Sequence, residues 1–398
     1  MPLDSAIELR PGLHWIGVTD PGLRIFDDLF PTAHGTTYNS YLVRGSDKIA
    51  VIDTVKGERR QEFLDKLSSL VDPADIDYYV VNHTEPDHSG SLAAMLKLSP
   101  KATVVSTQAA KTFLANQIHE PIPCQVIKDG ESIDLGGKTL RFVIAPFLHW
   151  PDTMFTYLEE EGALFTCDAF GAHYCGNSLY ADDLPDYPLE VESYFDAIIR
   201  PFKDKVLAAI AKIRSERLEL LCPSHGPVIR HDPWQTVRRY EGWCQPPTGG
   251  PTVLILYLSP HHNTERMAAT VARGAESVAG VRVLLRHTTD LTTPEIRDLM
   301  EKADAIIFGI PTINRDIPKP MWEVLSLLST VKLKGNLAGV FGSFGWSGEA
   351  CRLAEERLKG IGYKLPLPAV RAQFTPRPEA LEQCTELGRT VALEILKK

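Results

Sequence analysis

Up to about residue 248 the apolar positions come in short runs bounded by Gly, Pro, Asn, Asp and Ser. TYNSYLV (37–43), KIAVIDT (48–54), YYVVNH (78–83), TVVST (103–107), TLRFVIAPF (139–147), MFTYLE (154–159), ALFTCDAF (163–170) and LLCPSHG (220–226) are rich in β-branched and aromatic side chains. Such residues suit a pleated, half-buried surface, so these runs predict strands. Between them GERRQEFLDKLSSLV spaces its apolar residues at the helical period. The combination predicts an α/β unit, two sheets faced by helices in an αββα sandwich.

CQPPTGGPT (244–252) packs three prolines and two glycines together and sets a boundary near 249. The expected domains are therefore 1–248 and 249–398. Beyond the boundary TVLILYLS (252–259), ADAIIFGIPT (303–312) and LAGVFGSFG (337–345) are continuous apolar runs. Unbroken runs of this kind predict parallel strands covered on both faces. Helical stretches start near Thr264, Lys319 and Gly348, so the region predicts a doubly wound parallel sheet.

The chain has 398 residues, 44% hydrophobic and 23% charged, with a net charge of -9. The acidic balance argues against nucleic acid or an anionic membrane as the main partner. No apolar run reaches the roughly 18 residues of a membrane span. The N-terminus MPLDSAIELR lacks the basic and apolar regions of a signal peptide, which predicts a cytoplasmic protein. Seven scattered cysteines without a C-x-x-C pair fit reduced thiols and exclude a fused rubredoxin-like iron centre.

The candidate chemistry of the first region is concentrated in HTEPDHSG (83–90). The run resembles the His-x-His-x-Asp-His layout of dinuclear zinc hydrolases, with glutamate in place of the second histidine. His83, Glu85, Asp87 and His88 follow an apolar run. Three later strand ends contribute His149, Asp168 and His225. Seven donors are too many for one tetrahedral ion. One ion can take His83, Glu85 and His149, a second Asp87, His88 and His225, with Asp168 as the bridge. Anionic oxygen donors such as Glu85 stabilise the higher oxidation state of iron, which points to two iron ions and redox chemistry.

In the second region three loops leave the same edge of the sheet, where ligands bind in such folds. SPHHNTERMA enters a helix and offers Ser259, His261, Asn263 and Thr264 to a phosphate. GIPTINRD offers Pro311, Thr312, Ile313 and Asn314, and GSFGWSGEA offers Ser343, Phe344, Gly345, Trp346 and Gly348. No Walker pattern is present. Phosphate, ribityl chain and a flat ring beside Trp346 predict FMN. A flavin that passes electrons singly and a redox metal pair form one machine.

GTTYNSYLV, HTEPDHSGS, LHWPD, CDAFG, SHGPV and GSFGWSGE, in this order, are together similar to the flavodiiron proteins, over nearly the whole chain. The resemblance implies a metallo-β-lactamase-like diiron domain followed by a flavodoxin-like FMN domain. It also implies the short class, without fused rubredoxin or flavin reductase. The implied activity is reduction of dioxygen to water, of nitric oxide to nitrous oxide, or both. The implied donor is external: rubredoxin, another flavoprotein or reduced deazaflavin. A head-to-tail homodimer, facing each FMN with its partner's iron pair, is implied as well. Where several family members carry a DFHGY segment near the substrate side, this chain reads RIFDDLFPTAHG. A gap-free alignment puts Asp28 and Phe30 at the His and Tyr positions, with His34 the only nearby histidine. The alternatives are a dinuclear zinc hydrolase with a flavodoxin-like accessory domain, and an electron carrier or sensor with a structural metal site.

Overall fold

The computed structural model describes residues 3–397. Two compact units are present, one ending at Gln245 and one beginning at Pro246.

The first unit holds a seven-stranded and a five-stranded sheet. The seven-stranded sheet has the order Ile7–Arg10, Leu13–Trp15, Tyr41–Arg44, Ile49–Ile52, Tyr78–Val80, Thr103–Ser106, Cys124–Val126. The five-stranded sheet runs Ser132–Asp134, Thr139–Ile144, Met154–Leu158, Ala163–Cys167, Leu220–Pro223. Between the sheets pack Trp15, Val43, Ile52, Val80, Val105, Phe142, Phe165 and Leu220, all essentially buried. The outer face of the first sheet is covered by Phe63 and Leu67 of the helix Arg60–Ser68, with Met95 and Leu114. The outer face of the second is covered by Val206, Ile210, Ile213, Val237 and Tyr240 from the helices Lys203–Ile213 and Pro233–Trp243. This is the predicted αββα sandwich.

TYNSYLV is not one strand. Thr36–Tyr38 pairs with Val18–Asp20 in a separate ribbon, and Tyr41–Arg44 joins the large sheet. The break falls at Asn39, whose amide serves the metal-side loop described below. Sequence periodicity also missed the first three strands, the edge strand Cys124–Val126 and the later helices of this unit.

In the second unit five parallel strands have the order Arg282–His287, Thr252–Tyr257, Ala305–Gly309, Leu337–Phe344, Val370–Gln373. The three central strands are the three apolar runs read from the sequence. The two edge strands alternate and are partly solvated, so they gave no continuous apolar signal. Helices Thr293–Lys302, Lys319–Ser326 and Glu349–Gly360 cover one face. Asn263–Glu276 and Pro378–Ile395 cover the other. These last two touch backbone to backbone. A Cβ on Gly274 would sit 2.1 Å from Thr385 O, and one on Gly388 would sit 2.0 Å from Val271 O.

Candidate metal centre and cofactor cleft

Every predicted metal ligand follows the end of a strand. His83 and Glu85 come after Tyr78–Val80, His149 after Thr139–Ile144, Asp168 after Ala163–Cys167, and His225 after Leu220–Pro223. Asp87 and His88 sit on the single helical turn Pro86–Ser89, started by a proline that fixes φ. The structure brings all seven together. Donor atoms of His83, Glu85, His149 and Asp168 lie within 4.8 Å of one another, as do those of Asp87, His88 and His225. Asp168 faces both sets. Its Oδ2 is 3.7 Å from His83 Nε2 and 3.6 Å from His149 Nε2. Its Oδ1 is 3.1 Å from His88 Nε2 and 3.4 Å from His225 Nε2.

The arrangement calls for cations. His225 Nδ1 is 2.7 Å from Thr37 O, a carbonyl that can only accept, so Nδ1 carries the proton. In the neutral ring Nε2 is then a bare lone pair, yet it lies 3.0 Å from Asp87 Oδ2. Both Asp87 oxygens are buried without a hydrogen bond among the described residues. His83 repeats the pattern: Nδ1 faces the Asp152 carboxylate at 3.1 Å, leaving Nε2 3.3 Å from Glu85 Oε2. Lone pairs set against carboxylates in a buried pocket repel unless a positive charge lies between them. Two cations, one per set, satisfy all seven groups.

Without cations, protons fill the deficit. Burial alone would lower His83, but the Asp152 and Glu85 contacts outweigh it and raise it to about 10. His88 rises well above its ordinary value, because Asp87 and Asp168 overcome its burial. Glu85 falls to about 2, against the effect of burial, through His149 and His83. Asp168 falls well below the carboxylate range because His88, His149 and His83 outweigh burial. Metal uptake at this site therefore competes with protons and releases them.

A supporting layer was not legible as such. Asp152, in LHWPD, accepts from Thr84 N and Thr84 Oγ1 at 2.8 Å each, while facing His83. It fixes the ring through the nitrogen opposite the metal side. Tyr194 donates its hydroxyl to Asp168 Oδ1 at 3.1 Å, from the point where a helix widens into the π turn Phe195–Ile199. GTTYNS anchors the His225 loop. Asn39 donates to Pro223 O and Gly226 O at 2.8 Å each and accepts from Trp15 Nε1 at 2.8 Å. Pro223 O also accepts from Tyr41 and Gly226 O from Thr37, so Asn39→Ala orphans chiefly the buried Trp15 Nε1 and weakens the other two contacts. The expected loss is about 2 kcal/mol, in the range of about 1–3 kcal/mol for one buried orphan. Urea unfolding of the metal-free protein measures it, and a loss under ~1 kcal/mol would contradict this role for Asn39.

The segment before GTTYNS forms a short hairpin. Asp28 is exposed and Phe30 packs between two apolar clusters. His34 stacks on Tyr174 at 4.5 Å and lies 3.6 Å from Glu190. Two other residues face the ligands. The Phe26 ring lies 5.1 Å from that of His225, and the Asp27 carboxyl is raised by partial burial and by repulsion from Asp87 and Glu85. Phe26 and Asp27 belong to the short hairpin Ile25–Phe26 to Phe30–Pro31. A buried histidine, His173, comes from elsewhere, five residues after Asp168. Burial and His225 lower it to about 3, so its ring is neutral.

In the second unit the three predicted loops enclose a cleft of about 360 Å³. Of the predicted residues, Ser259, His261, Asn263, Pro311, Thr312, Ile313, Ser343, Phe344, Gly345 and Trp346 line it. Thr264, Asn314 and Gly348 do not. Thr264 is buried beneath, its Oγ1 2.8 Å from Ser343 Oγ, and ties two loops together. Asn314 lies in an exposed turn with positive φ. Gly348 makes room for the Phe344 ring, 2.9 Å from where its Cβ would lie. Pro260 and Phe374 line the cleft and were missed; Phe374 follows an edge strand too short to read. Trp346 is 75% exposed, Phe374 63% and Ile313 42%. Three large apolar side chains left in water around one cleft, beside the N-terminus of the helix Asn263–Glu276, fit a planar ring carrying a phosphate.

Both units match known families. Residues 36–226 match the ODP family beta lactamase model, and residues 255–388 match the Flavodoxin model. The chain is 40% identical to a type A flavoprotein of Rhodobacter capsulatus, over 97% of this chain and 91% of the relative. It is 36% identical to flavo-diiron protein FprA2 of Clostridium acetobutylicum, over 98% of this chain and 100% of the relative. Rubredoxin oxygen:oxidoreductase of Desulfovibrio gigas has a similar structure, with a TM-score of 0.71 and 31% identity, covering 99% of each chain.

Proposed function

From the premise that the chain belongs to the flavodiiron protein family, we propose that it is an oxidoreductase reducing dioxygen to water, nitric oxide to nitrous oxide, or both. Its cofactors are FMN and two iron ions. The relatives' names point the same way: one is a nitric oxide reductase of Moorella thermoacetica, another the rubredoxin oxygen:oxidoreductase. When bound, the flavin supplies electrons singly and the irons supply the redox and oxidant-binding chemistry.

The observation that carries this reading is the seven-donor set divided by Asp168, with three carboxylates in it. In this reading His83, Glu85 and His149 would hold one ion and Asp87, His88 and His225 the other, with Asp168 available to both. Asp152 and the Thr37 carbonyl hold two of the imidazoles in the tautomer that presents Nε2. Tyr194 keeps the Asp168 carboxylate oriented with a hydroxyl hydrogen bond. In the second unit Ser259, His261 and Asn263 receive the phosphate, while Trp346 and Phe374 receive the ring.

The electron donor is an external one, of the rubredoxin, flavoprotein or reduced deazaflavin kind. We place each flavin opposite the metal pair of a partner in a head-to-tail homodimer, because tunnelling requires closeness. Co-expressing Asp168→Ala with a flavin-loop variant, Asn263 and Thr264 both changed to bulky residues, tests that: mixed dimers recover part of the activity. Among the described residues no helix is long and apolar enough to cross a membrane.

Protein purified after expression with iron is expected to carry about two irons and one FMN per chain. Reduced anaerobically and mixed with dioxygen or nitric oxide, it reoxidises within turnover times. A colourless protein holding mainly zinc and hydrolysing esters would instead support the hydrolase reading, which Glu85 disfavours.

A further inference from the structure

We infer that Asp53 is a positioning residue for both halves of the metal pair: its buried carboxylate anchors loops that carry ligands of each ion, and its negative charge is balanced by the ions themselves. The inference rests on the metal reading above and concerns a residue outside the seven ligands.

Asp53 and Thr54 end the run KIAVIDT, just past the strand Ile49–Ile52. Neither is a ligand, yet ligand loops of both sets meet on them. Asp53 Oδ1 accepts from Asn82 N at 2.8 Å, and Oδ2 accepts from Asn82 Nδ2 at 3.2 Å. Asn82 immediately precedes His83. Oδ2 also lies 3.5 Å from Ser224 Oγ, a long contact, and Ser224 immediately precedes His225. Thr54 donates its N–H and its hydroxyl to the His88 carbonyl, at 2.8 and 2.7 Å. His83 belongs to one donor set, His88 and His225 to the other. One turn of chain therefore holds the roots of both.

The carboxylate is costly where it stands. Asp53 is 3% exposed, and Asn82 and Ser224 are buried around it. Its hydrogen-bond donors are all neutral. Burial raises its carboxyl to about 6, with His88, the Asn82 amide groups and His83 opposing the rise. A buried charge without a charged hydrogen-bond partner is strongly disfavoured. Asparagine has the same shape and keeps an acceptor for Asn82 N. It also tolerates the left-handed backbone that Asp53 adopts, at φ 53°. What asparagine lacks is the charge and the second acceptor. Beside a pocket that calls for cations the charge has a use. A negative charge at the roots of both loops favours each ion, and favours the more highly charged oxidation state most.

Compare Asp53→Asn and Thr54→Val with the wild type. Metal-free protein is titrated with Zn²⁺ against a coloured chelator. Asp53→Asn is expected to weaken both ions about tenfold, the low end for a group behind metal ligands. In protein loaded with iron the reduction potential of the pair should rise, a tenfold loss of preference for the ferric state being about 60 mV per electron. Thr54→Val removes a neutral hydrogen bond from the same turn, so it should leave the potential where it is. Metal-free Asp53→Asn should unfold at pH 8 at the wild-type temperature or higher, because a carboxyl raised to about 6 costs stability once it is ionised. Unchanged Zn²⁺ affinities with an unchanged potential would overturn the inference. So would weakening of one ion alone, or equal shifts of potential in both variants, which would point to packing rather than charge. A lowered metal-free unfolding temperature at pH 8 would also overturn it, since the carboxylate would then be compensated within the protein. If the wild type binds neither Zn²⁺ nor iron, the metal reading fails instead, and the metal-free comparison still judges Asp53.

Discussion

Asp168→Asn is expected to lower turnover with either oxidant at least about a hundredfold, since losing even a group behind a metal ligand costs about 10–100-fold. The two Asp168 oxygens face different donor sets, and each is needed on its own side. An asparagine offers one carbonyl oxygen and turns an N–H₂ toward the other set. A donor hydrogen pointed at a cation repels it. The substitution also removes one of three negative charges that hold the pair of ions. FMN content, set in the other unit, should be unchanged, so the visible flavin spectrum persists while iron falls below two per chain. Iron at two per chain with full turnover would show that Asp168 does not bridge. Tyr194→Phe, which deletes only the hydroxyl bonded to Asp168 Oδ1, should have a much smaller effect.

The second large effect is on stability. Gly388→Leu is expected to destabilise the second unit by on the order of 4 kcal/mol, the upper end for overpacking. The new Cβ alone would fall 2.0 Å from Val271 O, a backbone atom that cannot swing aside. The helices Asn263–Glu276 and Pro378–Ile395 must then part. Met267, Val271, Leu387 and Val391, buried between them and the sheet, lose their packing. The first of these helices begins at the proposed phosphate loop, so FMN should be lost as well. Thermal unfolding followed by flavin fluorescence measures both. Iron content should survive, because the metal ligands belong to a unit with its own core. A transition within 1 °C of wild type would mean the helices do not meet as described.

Much of the layout was readable because strand ends and ligands coincide. Apolar runs such as YYVV stop where His83 begins, and the runs before Asp168 and His225 do the same. The continuous runs at 252, 303 and 337 gave the central parallel strands. What sequence could not give was anything set by side-chain direction across long separations. Asp152 behind His83, Thr37 behind His225 and His173 beside Phe26 are bonds between segments far apart in the chain. No local period encodes them. That Phe26 and Asp27 approach the ligands has the same origin: the hairpin Ile25–Phe26 to Phe30–Pro31 presents them, and counting back from GTTYNS does not reveal a hairpin. Phe374 was missed because the strand before it alternates exposed and buried residues at an edge.

The meeting of Asn263–Glu276 with Pro378–Ile395 also sets a timetable. Synthesis runs from the N-terminus, so the last metal ligand, His225, leaves the ribosome long before the helix that braces the phosphate loop. The first unit already has its inter-sheet core by then and can take up metal. Until the closing helix arrives, Met267, Ala268 and Val271 have no partner on that side, and the loop they carry is unsupported. The expected consequence is an order of cofactor acquisition, metal before flavin. Nascent chains stalled within the second unit, before the helix Pro378–Ile395 is made, should therefore bind iron without binding flavin, and release of the finished chain should be the moment at which flavin binding becomes possible.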